Sequence, residues 1–100
     1  MENEPVTRVV IYETEDEKGD RRSLAVELRS SGELVMDGCD SGPLAEKFFG
    51  DWDYEYWRTV PADRVGEIAL RLIAERFGSD TSFRAWLDRH GIPSRFDCWR

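Results

Sequence analysis

Residues 23–37 constrain the fold most. Ser23–Arg29 (SLAVELR) sets Leu24, Val26 and Leu28 at alternate positions, and Glu33–Asp37 (ELVMD) returns with Leu34 and Met36 two apart after the turn-like Ser30-Ser31-Gly32. A period of two marks a strand with one buried face, and two such segments joined by a short polar turn read as a β-hairpin. Leu24, Val26, Leu28, Leu34 and Met36 are then expected on the buried side. Ala25, Glu27, Arg29, Glu33 and Asp37 take the other.

Two further segments have strand character. Val6–Thr14 (VTRVVIYET) is rich in β-branched and aromatic residues and is followed by a charged loop, Glu15–Arg22. Asp51–Val60 (DWDYEYWRTV) predicts a fourth strand, with Asp53, Glu55, Trp57 and Thr59 on one face and Tyr54, Tyr56 and Val60 on the other. Gly38–Gly42 reads as a break after the hairpin, and Leu44–Phe49 as a short helix opened by Pro43 and stopped by Gly50. From Pro61 to about Phe77 the period lengthens: Val65, Ile68, Ala69, Leu72 and Ile73 follow the spacing of an amphipathic helix. A second helix spans Thr81–His90, capped by Ser79 or Asp80 and ended by Gly91, with Pro93 beyond it. Strands first and helices last predict an α+β fold, a four-stranded mainly antiparallel sheet with two C-terminal helices packed on one face. The 100 residues are expected to form one domain with a frayed end at 1–5. The tail, residues 94–100, is expected to add an edge strand or to cover the core through Phe96 and Trp99.

The charge narrows the functional classes. The net charge is -7, and 12 acids against 6 bases put most of it in the first fifty residues. Such a field repels phosphates and anionic lipid and attracts basic partners, so neither nucleic acid nor membrane is an expected partner. No apolar run is long enough to span a bilayer, and the acidic start lacks the order of a secretory leader, so a cytoplasmic protein with Cys39 and Cys98 as free thiols is expected. Cys39, His90 and Cys98 lack the spacing of a metal site, and no acidic loop has the calcium pattern. One histidine without a Ser or Cys elbow, and Gly38-x-x-x-Gly42 without the Lys-Ser/Thr of a phosphate loop, leave no catalytic constellation. The expectation is a protein that is not an enzyme and has no cofactor.

One cluster stands out. Phe48, Phe49, Trp52, Tyr54, Tyr56 and Trp57 place half of the twelve aromatics in ten residues, with Asp51, Asp53 and Glu55 threaded among them. The tyrosines and phenylalanines suit a core, but strand alternation puts Trp57 on the face of Asp37, Asp53 and Glu55. An indole among charges of one sign is the composition of a docking patch for a basic protein. Asp37, Asp53, Glu55 and Trp57 are its expected centre, with Asp51 and Trp52 at the rim. A rival reading covers Trp57 with the C-terminal tail. An alternative function is a small-molecule pocket between sheet and helices near Tyr54, Tyr56 and Arg58, where Arg58 is a charge on the inner face that needs a partner. A third is a homodimer formed through the sheet edge or the tail.

The succession VVIYET, LVMDGCDSGP, GDWDYEY and TVPADRV resembles small acidic actinobacterial proteins. In its strand-then-helix style it is similar to immunity proteins of bacterial toxin systems. The resemblance implies a bacterial cytosolic protein with a binding role and carries over no site residues.

Overall fold

The alternating segments pair in chain order. In the computed structural model, which describes residues 5–99, β1 (Arg8–Glu15), β2 (Arg21–Leu28), β3 (Leu34–Ser41) and β4 (Asp53–Val60) form one antiparallel meander in the order β1-β2-β3-β4. Helix α1 (Pro43–Phe49) joins β3 to β4. After β4 a single 3-10 turn, Ala62–Arg64, leads into α2 (Val65–Arg76), and α3 (Asp80–Arg89) follows. The fold is therefore α+β, and the chain divides into two compact units, Pro5–Val65 with the sheet and α1, and the residues from Gly66 onward. The expected frayed end lies, apart from Pro5, outside the described residues.

Register assigns the faces. Val10, Ala25, Asp37 and Trp57 form one cross-strand row, and Glu13, Ser23, Cys39 and Glu55 a second row on the same side. The opposite face carries Tyr12, Leu24, Gly38 and Tyr56, and next to them Val26, Met36 and Arg58. In β1 the register shifts between Val10 and Tyr12, so Ile11 is an extra residue and the strand is bulged there.

The second arm of the hairpin does not stop at Asp37, as its glycines suggested, but continues as strand to Ser41. Gly38 is buried, and a Cβ there would overlap the Tyr56 ring, which lies across it from the directly opposed position on β4. The glycine is a slot for an aromatic ring rather than a break.

Burial departs from the expected pattern. The enclosed side chains of the central strands are Val35 (0 % exposed) and Ala25 (4 %), both on the Trp57 side of the sheet. Leu24, Val26, Leu34 and Met36 are only half-buried, and Leu28 is exposed. The tail forms no strand among the described residues; Phe96 is exposed and Trp99 is 97 % exposed.

Helix α1 is held from outside. Its N-cap, Gly42, offers no side chain, and the Leu44 N–H donates instead to Asp20 Oδ1 at 2.9 Å. Asp20 is itself fixed by its N–H, which donates to Asp16 Oδ1 at 3.0 Å, so a loop carboxylate supplies the missing cap. Gly42, at φ 119°, must lack a Cβ, which would meet the Gly19 carbonyl and Asp20. In the second unit Phe77 packs against Phe83 and Trp86, with centroids 5.3 and 6.0 Å away. Ser79 rather than Asp80 caps α3: its Oγ accepts from the Ser82 N–H at 3.1 Å. Ile92 N–H to Leu87 O and Gly91 N–H to Asp88 O close its other end, as Gly91 and Ile92 predict.

Candidate interaction surface on the fourth strand

Strand β4 lies at the edge of the sheet, and its alternation sends Asp53, Glu55, Trp57 and Thr59 to one side. Trp57 is 60 % exposed, and Asp53 and Glu55 are exposed with no ion pair among the described residues. Trp52, also exposed, precedes the strand, and the Asp53 N–H donates to Asp51 Oδ1 at 3.4 Å across the bend that enters it. Five of the six expected contact residues are thus gathered at one end of β4 or along it.

The sixth, Asp37, is beside Trp57 in register but is already engaged. Arg8 Nη1 and Nη2 donate to its two carboxylate oxygens at 2.7 and 3.2 Å. The arginine thus ties β1 to β3 across β2, on the side where Ala25 stands next to Asp37 in register. The bidentate tie holds the Asp37 carboxyl below the usual carboxylate range. Its charge is compensated, so the acidic character of this face comes from elsewhere.

It comes from the other end. After the bulge, Glu13 and Glu15 of β1 project to the same side as Asp53 and Glu55 of β4. Between them Ser23, Cys39 and Ser41 form a low floor, and a depression of about 580 Å³ opens over it. Arg21 Nε lies 3.2 Å from Glu15 and is the cation at this end. Cys39 reports the local field: burial first, then Glu55, Asp53 and Asp40, push its thiol above the ordinary value. A thiol held protonated at neutral pH is a poor nucleophile, so Cys39 here is a small polar floor residue.

Cys39 escaped the sequence reading because Gly38–Gly42 reads as a break rather than as strand; Glu13 and Glu15 escaped it because of the bulge. In an unbroken strand Glu13 would share a face with Val9, away from Arg8, and only the extra residue at Ile11 reverses that phase.

The residues of the alternative pocket lie on the opposite face. Tyr54 stacks on Phe49 of α1, centroids 3.9 Å apart and planes within 11°, and Tyr56 is 5.7 Å from Tyr54. Burial is the main cause of a raised Tyr56 phenol. Arg58 is exposed and forms no ion pair among the described residues. A cavity of about 250 Å³ adjoins Phe49 but is lined by Asp20, Arg22, Asp40, Leu44 and Phe48 rather than by Tyr54, Tyr56 or Arg58. Arg22 Nε donates to Asp40 Oδ1 at 3.3 Å within that lining.

Among the described residues, no three His, Cys, Asp or Glu side chains are placed to hold a metal ion, and no helix is long and apolar enough to cross a membrane. Comparison with protein-family models, with curated proteins and with solved structures finds no match for this chain.

Proposed function

We propose that this protein is a non-enzymatic, cytoplasmic interaction module of the immunity or regulatory type that docks a basic protein through the Trp57 face of its sheet. The observation that carries the reading is the exposed indole of Trp57 on the same strand face as Asp53 and Glu55, two carboxylates without ion pairs among the described residues. An aromatic side chain supplies contact area at low entropic cost, and uncompensated acids steer and select a cationic surface. Glu13 extends the same field across the sheet, while Glu15 is paired with Arg21.

The test is capture of partners from the native host with wild-type chain and with the Asp53→Lys/Glu55→Lys variant. A basic protein retained by wild type, released at about 1 M salt, where screening acts within about 3 Å, and lost by the variant supports the reading. Equal retention by the variant refutes it. Trp57→Ala should weaken the same complex while leaving thermal unfolding nearly unchanged.

A second reading, a small-molecule site, is favoured by the cavity beside Phe49, whose lining includes Arg21 and Arg22, each paired with an acid. A thermal shift with acidic metabolites, abolished by Arg22→Ala, would support it over the first.

A further inference from the structure

Strand β4 has an open backbone as well as an exposed indole. It is the last strand of the sheet, and among the described residues no backbone hydrogen bond outside the sheet involves residues 53–60. Its eight residues pair with β3 from Leu34↔Val60 to Ser41↔Asp53 without a register shift. An edge of this length and regularity is a template for another strand. The opposite edge differs: β1 carries the irregularity at Ile11, one of the devices that blunt an edge. Within β4 there is no proline, no lysine and no bulge.

We infer that the partner's contact segment is an extended strand that adds to the free edge of β4, with basic residues at alternate positions and apolar residues between them. This rests on the proposed docking reading and names the form the partner takes. The occupant follows from side-chain alternation. Residues of an added strand stand about 5 Å from their cross-strand neighbours on the same face. On one face those neighbours are Asp53 and Glu55, followed by Trp57, so Lys or Arg is matched there. On the other they are Tyr54 and Tyr56, then Arg58 and Val60, so β-branched or aromatic residues are matched opposite the tyrosines and an apolar rather than basic residue opposite Arg58. A second copy of the chain is the weaker occupant, because it brings a further net charge of -7 to the same edge.

The test titrates the full chain with synthetic peptides of the length of β4, eight residues, following tryptophan fluorescence. One peptide alternates Lys and Val. A second has the same composition with its lysines in one block. Two more repeat the alternating sequence with backbone N-methylation on the odd or on the even residues. The alternating peptide is expected to bind at least about tenfold tighter than the block peptide, a difference of about 1.4 kcal/mol. Only one of the two N-methylated peptides should lose binding, because a strand presents every second amide to a given edge. Asp53→Lys should weaken the alternating peptide. Equal binding of alternating and block peptides overturns strand addition while leaving electrostatic docking standing. Failure of every peptide, with a basic partner still captured, also overturns strand addition alone; failure of both removes the docking reading as well. A free chain that is a dimer in sedimentation, and that the alternating peptide does not dissociate, assigns the edge to a second copy and overturns the inference.

Discussion

Gly38→Ala should destabilise the sheet unit, and the size and sign of the effect follow from one ring. The backbone at Gly38 is not in the left-handed region, so alanine costs nothing there conformationally. In a strand interior alanine is favoured over glycine by roughly 0.5–1 kcal/mol. Any loss must come from Tyr56, whose Cζ, Oη and Cε2 atoms occupy the space the new methyl would take. Swinging the ring away re-exposes about a third to a half of the 150–250 Å² that an aromatic side chain buries. At about 25 cal/mol per Å² this is roughly 1.3–3 kcal/mol, for a net loss of about 0.3–2.6 kcal/mol. The decisive measurement is a double-mutant cycle by urea unfolding. In a Tyr56→Ala background the obstruction is gone, and Gly38→Ala should then stabilise by about 0.5–1 kcal/mol. A substitution that destabilises equally in both backgrounds would refute the slot. The result also bears on function, because Tyr56 seated on Gly38 pins the register of β4, and a slip of one residue would exchange Trp57 and its acids for the tyrosine face.

Three further outcomes are expected. In a Cys98→Ser background, Glu55→Gln should lower the Cys39 thiol pKa and speed its alkylation near neutral pH; an unchanged rate would show that the carboxylates do not act on the floor of the depression. The Arg8–Asp37 tie lowers the Asp37 pKa, so its stabilisation is fully present above the unfolded value of about 3.9 and fades as pH falls through the lower folded value; Arg8→Ala should flatten that part of the stability–pH curve, read by thermal unfolding. Asp20→Ala removes the carboxylate that receives the Leu44 N–H and should cost about 1–2 kcal/mol in urea unfolding, whereas Asp20→Asn, which keeps an acceptor oxygen, should cost less.

The sequence carried the strands and which residues share a face, but not which face holds the enclosed side chains, since Ala25 and Val35 on the Trp57 side are the buried ones. Leu24, Val26, Leu34 and Met36 do share a face, and Trp57 stands with Asp53 and Glu55, because the side-chain period of a strand leaves no other choice. The reading failed where a local signal had a tertiary cause. Gly38 looked like a breaker because the ring that fills its place arrives eighteen residues later, from β4. Asp37 looked like a free acid because its partner, Arg8, belongs to a strand two positions away in the sheet. The acids of β1 were assigned no place in the patch because a bulge cannot be told from a regular strand by composition. The helix that begins at Pro61 opens as a 3-10 turn and becomes α-helical only at Val65, a difference of the size expected at helix ends.

The extra residue in β1 has a bearing on how large any assembly of this sheet can grow. With one margin irregular and the other straight, lateral growth has a single direction, and each chain offers one continuous ladder rather than two. A partner strand added at β4 would therefore end in a complex of fixed stoichiometry, and raising the concentration would fill that one margin without propagating pairing into a fibre.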